Sequence, residues 1–79
     1  LSKRTITVNL NDFITARKFI NEASKFISDI DVIKGRYVID GKSAMGIFTL
    51  DLSKPIDVEI HSSDLYEIER FNDIMSEFV

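Results

Sequence analysis

The sequence predicts an α+β domain. It is an open-faced two-layer sandwich, with a four-stranded antiparallel sheet and three helices on one side of it, in the order β-α-β-β-α-β-α. Three observations point there. Four short segments alternate apolar and polar residues, two longer ones repeat apolar residues at helical spacing, and a brief third helix opens on a capping serine. Each strand therefore has one apolar face and each long helix one apolar stripe, and these bury one another when the helices cover a single side of the sheet. The 79 residues suffice for one domain, 1–79, with no internal repeat, low-complexity tract or linker.

The elements follow in order. In Thr5-Ile6-Thr7-Val8-Asn9-Leu10 the residues Ile6, Val8 and Leu10 share a face, as in a half-buried strand. Asn11-Asp12 turns the chain into a helix over about 13–26, with Ala16, Phe19, Ile20, Ala23 and either Phe26 or Ile27 as its stripe. Ile30 and Val32 mark a second strand, Lys34-Gly35-Arg36 a turn, and Tyr37-Val38-Ile39 a third strand ended by Asp40-Gly41. Ser43 caps a short helix over about 44–50, and Lys54-Pro55 prevents its continuation. Ile56, Val58 and Ile60 alternate with Asp57, Glu59 and His61 in a fourth strand. Asp64 opens the last helix, with Glu67 as reciprocal capping partner and Leu65, Ile68, Phe71, Ile74 or Met75, and Phe78 as the buried stripe.

Composition narrows the function classes. An apolar fraction of 44% with mixed charges fits a globular chain. Net charge is −3, and the ten Lys and Arg residues form no run or stripe, which argues against a nucleic-acid partner. No apolar run approaches the roughly 18–20 residues of a membrane span. Without cysteine there is no disulfide or thiolate metal site, and one histidine alone makes no metal centre, so no metal or other cofactor is implied. A reducing cytoplasm is the compatible location.

The most specific segment is Gly41-Lys42-Ser43-Ala44-Met45-Gly46-Ile47-Phe48-Thr49-Leu50. It resembles the serine-bearing stretch of the HPr family, the histidine-containing phosphocarrier proteins of the bacterial sugar phosphotransferase system. Asn21-Glu22-Ala23-Ser24-Lys25-Phe26 is similar to that family's first helix running into its second strand, and the element order agrees over the whole chain. The resemblance implies the HPr-like fold. It also implies that Ser43 is the serine phosphorylated by an HPr kinase/phosphorylase. Ala44, Met45 and Phe48 then form a patch meeting that kinase, transport enzymes or transcriptional regulators. On the residues alone Ser43 is equally a helix N-cap, and Met45 and Phe48 are equally core. A phosphate at Ser43 would sit where helix amides favour negative charge, with Lys42 adjacent to screen it.

The active-site loop departs from the family pattern Asn-Gly-Leu-His-Thr-Arg-Pro-Ala. Here the chain reads Asn11-Asp12-Phe13-Ile14-Thr15-Ala16 and is shorter. Ile14 falls at the histidine position when aligned from the strand, and Asp12 when aligned from the helix. Arg17 lies deeper in the helix and is not the family's arginine. Relay of a phosphoryl group by the family's route needs an imidazole nitrogen; isoleucine has no nucleophile, and the first expectation for Asp12 is an N-cap whose carboxylate fills the anion-binding position at the helix start. The only histidine, His61, is expected at the sheet end opposite that helix start, so no catalytic residue is assigned.

The family's catabolite-repression branch keeps the serine and carries glutamine in place of the histidine, and this chain resembles it in what it retains. The expected function is that of a non-enzymatic regulatory or interaction protein related to the phosphotransferase system, controlled through Ser43, either monomeric or a weak homodimer. The alternative is a diverged phosphocarrier using Asp12 or another site.

Overall fold

The computed structural model describes residues 2–79. The elements are β1 (Thr5–Val8), α1 (Phe13–Ala23), β2 (Ile30–Lys34), β3 (Tyr37–Asp40), α2 (Ala44–Ile47), β4 (Ile56–Ile60), α3 (Leu65–Met75) and a closing 3-10 turn, Ser76–Phe78. The strands form one sheet in the order β1-β4-β2-β3, every neighbour antiparallel. The expected order and open-faced sandwich are what the chain adopts.

The register shows why one face is buried. Val32 stands opposite Val58 on one side and Ile39 on the other, and Ile6 opposite Val58. This is the helix-covered face, where Val8, Val32 and Val58 are fully buried. Strand alternation puts Asp31, Asp40, Asp57 and Glu59 on the open face. From the helix layer, Phe19 packs edge-on against Phe78 (centroids 5.7 Å apart) and Phe26 against Phe71 (6.1 Å), while the Arg70 guanidinium lies 4.4 Å from the Phe26 ring centroid.

Several expectations are corrected at helix ends. The first helix stops at Ala23, not Phe26: Ser24 is its C-cap, whose N–H makes the last bond of α-helical spacing, to the Ile20 carbonyl that the Ser24 hydroxyl also reaches. The following Lys25 and Phe26 N–H groups then bond three residues back, which tightens the last turn. Phe26 is consequently the buried member of its pair, and Ile27 is 96% exposed. The short helix ends at Ile47, not Leu50, as the Thr49 and Leu50 amides also bond three residues back.

In α3 the capping box is not formed. Ser62 Oγ, rather than Glu67, accepts the Asp64 N–H (3.0 Å), while Asp64 Oδ1 accepts the Tyr66 N–H. The Glu67 carboxylate instead accepts the Ser28 hydroxyl, tying the α1–β2 loop to α3. Bonds from the Ser28 and Ser62 side chains hold the Glu67 carboxyl below its ordinary value. Leu65, expected in the stripe, is exposed: it is the first residue of the helix, ahead of the turn that reaches the sheet. Met75 is fully buried and Ile74 packs partly against the core.

Candidate functional site

The start of α1 is built by a tight connection from β1. Leu10 is buried, Asn11 has φ of 67°, and the Asp12 N–H donates back to the Leu10 carbonyl at 2.7 Å. Asparagine is one of the few non-glycine residues that tolerates the left-handed region. The Asn11 N–H donates to the Leu52 carbonyl (2.9 Å), which anchors the turn to the segment before β4.

Asp12 is the N-cap: its Oδ1 accepts the Thr15 N–H at 2.9 Å. The Thr15 backbone N–H first, then the Thr15 side chain and the Ile14 N–H, hold the Asp12 carboxyl below the ordinary carboxylate range. A negative charge already occupies the amide-rich helix start. The depressed folded value means that this stabilisation is complete above the unfolded pKa and is lost as pH falls through the folded one. Asp12→Ala is therefore expected to lower the melting temperature at neutral pH by a few degrees. It should also remove part of the acid-side decline, so that wild type and variant converge in acid; thermal melts across the acid range check both.

The second helix start lies beyond β3. The Ser43 N–H donates to the Asp40 carbonyl (3.1 Å), and Ser43 Oγ accepts the Gly46 N–H (3.2 Å). Ser43 is thus an N-cap, and the residue is half-buried. Lys42 does not screen it: its Nζ donates to the Phe26 carbonyl at 2.6 Å, a bond that links this loop to the end of the α1 segment.

The alternatives for α2 separate cleanly. Ile47 is the fully buried anchor of the helix, and Met45 on the same short helix is 86% exposed. Ala44 is exposed and Phe48 half-buried. Phe48 meets Phe13 edge-on at 4.7 Å, so the start of α1 and the end of α2 share one aromatic contact. Phe13 and Ile14 are themselves 64% and 81% exposed. The two N-caps, Asp12 and Ser43, thus open helices that meet through the Phe13–Phe48 contact, and each helix also carries one exposed apolar side chain, Ile14 and Met45.

His61 is elsewhere. β1 runs from Thr5, opposite Glu59, to Val8, opposite Ile56, and α1 follows Val8. His61 follows Ile60 and so lies past the other end of that pairing, where its Nε2 is 2.7 Å from Asp31 Oδ2 and 3.7 Å from Glu59 Oε1. Arg17 sits within α1 and makes no ion pair among the described residues. No group of three or more side chains suited to hold a metal ion occurs among the described residues.

Sequence reasoning missed Phe13 as the bridge between the two helix starts and Ile47 as the anchor of α2. An aromatic exposed directly after a capping aspartate was the available signal for the first. For the second, the only isoleucine of a short helix with glycine before it was the signal.

The comparisons agree with this architecture. A family model described as the PTS HPr component phosphorylation site matches residues 3–77. The structure of HPr-C-His from Thermoanaerobacter tengcongensis is similar, with TM-score 0.73 and 25% identity over 95% of this chain and 93% of that one. So is the phosphocarrier protein HPr from Bacillus anthracis str. Ames, with TM-score 0.73 and 23% identity over 98% of this chain and 100% of that one. No curated protein matches the chain.

Proposed function

Since the chain belongs to the HPr family of phosphotransferase-system phosphocarrier components, we propose that it acts in the cytoplasm as a non-enzymatic docking and regulatory member of that system, controlled by phosphorylation of Ser43. The observation that carries this reading is the pairing of a half-buried N-cap residue, Ser43, with the exposed Ala44 and Met45 beside it. A phosphate on Ser43 Oγ would face the amide end of α2 and add about −1.5 to −2 charges near the exposed Met45. A partner recognising Met45, Phe48, Phe13 and Ile14 would sense that charge at once. HPr kinase/phosphorylase-like enzymes, transcriptional regulators and transport enzymes are the partner class the family supplies.

The other helix start supports presentation over relay. Residues 11–16 contain no histidine, and His61 is at the far end of the sheet. The Asp12 carboxylate is already bonded to the Thr15 amide at the helix start. Incubation with HPr kinase and ATP is expected to add the mass of one phosphate to the wild-type chain and none to Ser43→Ala, read by intact mass spectrometry. No gain on the wild type ends the Ser43 reading. With Enzyme I and labelled phosphoenolpyruvate the expected result is no acid-labile label, and its appearance would return the chain to the phosphocarriers that relay.

A further inference from the structure

β3 is a four-residue edge strand whose outer side is covered by no further strand among the described residues. Its phase is fixed by the hairpin. Gly35, with φ of 60°, and Arg36 form a two-residue loop that places Lys34 opposite Tyr37. At the other end the Gly41 N–H donates to the Ile30 carbonyl at 2.7 Å. The narrow pairs are therefore Lys34–Tyr37, Val32–Ile39 and Ile30–Gly41, so Tyr37, Ile39 and Gly41 turn their peptide groups toward β2. The Val38 N–H and C=O, the Asp40 N–H and the Arg36 C=O must point outward. The strand carries no proline and no bulge, and residues 35–38 are exposed.

The side chains along that edge read Arg36-Tyr37-Val38-Ile39-Asp40, cationic at one end and anionic at the other, with Val38 at the centre. Such a strand is complementary to itself when inverted. Neither Arg36 nor Asp40 has an ion-pair partner among the described residues. On the open face Asp40 stands directly opposite Asp31, and Asp31 opposite Glu59, a row of carboxylates across three strands; His61 lies against Asp31 and Glu59, whereas the Asp40 carboxylate accepts only the Lys42 backbone N–H. Directly opposed like charges destabilise a sheet. A cation arriving at the Asp40 end would relieve the row.

We propose that β3 is a homotypic docking edge: a second copy of this chain pairs with it antiparallel, centred on Val38. In that register the two Val38 residues exchange both of their outward hydrogen bonds, and each Asp40 N–H meets the facing Arg36 carbonyl. Each Arg36 guanidinium lies across from the other copy's Asp40 carboxylate. Val38 shares the open face with Ile33, its partner in β2, so the joined sheets align Ile33, Val38, Val38 and Ile33 in one apolar line. The other edge is less suited. The Asn9 N–H just beyond β1 is taken by the Phe78 carbonyl, and both the N–H and the carbonyl of Lys3 are bonded to the Asn72 side chain. The docking edge is independent of the Ser43 reading.

Sedimentation of the full chain from micromolar to millimolar concentration should show a reversible monomer–dimer equilibrium. Over the same range the Val38 amide should gain protection from hydrogen exchange, while Ile39 is protected throughout. Val38→Pro removes an outward N–H and no bond to β2, so the fold is kept, judged by circular dichroism, and the dimer is lost. Arg36→Asp should weaken self-association by about tenfold or more. The deciding arm mixes two variants. Arg36→Asp and Asp40→Arg chains are each monomeric alone, and together form a mixed dimer with both charge pairs restored, one in the native sense and one in reverse. A wild-type chain that stays monomeric, a dimer indifferent to Val38→Pro and Arg36→Asp, or Val38 protection appearing only with an unrelated extended peptide overturns the proposal.

Discussion

Phe71→Ala is expected to remove a large share of the domain's stability. Phe71 is fully buried in α3 and packs edge-on against Phe26, which the α1–β2 loop delivers to the core. Truncating a buried phenylalanine costs about 3–5 kcal/mol through lost transfer energy and the cavity left behind. A domain of this length holds roughly 4–12 kcal/mol in total. The loss extends beyond one ring. Phe26 would lose the face it packs on, and Phe26 is also stacked by Arg70 and accepts the Lys42 ammonium at its carbonyl. The α1–β2 loop, α3 and the Ser43 loop thus meet at one aromatic pair. Urea titration followed by circular dichroism checks it: the midpoint should fall by about a quarter or more, with little change in slope. A wild-type-like midpoint would mean that the Phe26 pair is not the keystone of the helix layer.

That junction also shows what was legible in the sequence. The alternation at Ile56, Val58 and Ile60 and the helical spacing of Ala16, Phe19, Ile20 and Ala23 identify elements without ambiguity, since only one periodicity fits each. Asp12 and Ser43 are legible as caps, because a short polar side chain before an apolar run has one favourable bond to make. The failures occur where a local rule competes with a distant partner. Asp64 and Glu67 satisfy the spacing of a reciprocal cap, yet Glu67 is bonded to Ser28, thirty-nine residues away in the chain, and Ser62 takes its place. Ile27 and Phe26 are both large and apolar, and only the i−3 turns after Ala23 decide which one faces inward. Met45, Ile47 and Phe48 could not be ranked from a helix of one turn. Its orientation is set by contacts to β3 and α1 rather than by its own pattern. The same reason hid Phe13: an aromatic contact between two helix ends far apart in sequence leaves no periodic trace.

The orientation of α2 rests on Gly46, and its replacement supplies the second large effect. A Cβ built on Gly46 would lie 2.6 Å from Ile39 Cγ2, closer than nonbonded carbons come, and Ile39 is a β-branched side chain wedged between β3 and the core. The Cγ2 methyl is bonded directly to the stiff Cβ of Ile39 and is not the tip of a long flexible chain, so Gly46→Ala forces α2 and β3 apart. Overpacking of this kind costs about 1–3 kcal/mol. The displacement has a second consequence, because the Gly46 N–H is the group that Ser43 caps. Moving Gly46 loosens that bond, tilts Met45 and strains the Phe48–Phe13 contact, all at once. Gly46→Ala should therefore lower the melting temperature by several degrees and, on the function proposed above, also slow the addition of phosphate to Ser43 in the fraction that remains folded. Ile39→Val removes a methylene rather than the Cγ2 methyl, so it relieves little of the clash; Ile39→Ala removes Cγ2 and should restore part of the loss when combined with Gly46→Ala. A double variant no better than the sum of its parts would show that the close approach of α2 to β3 does not set the cost of replacing Gly46.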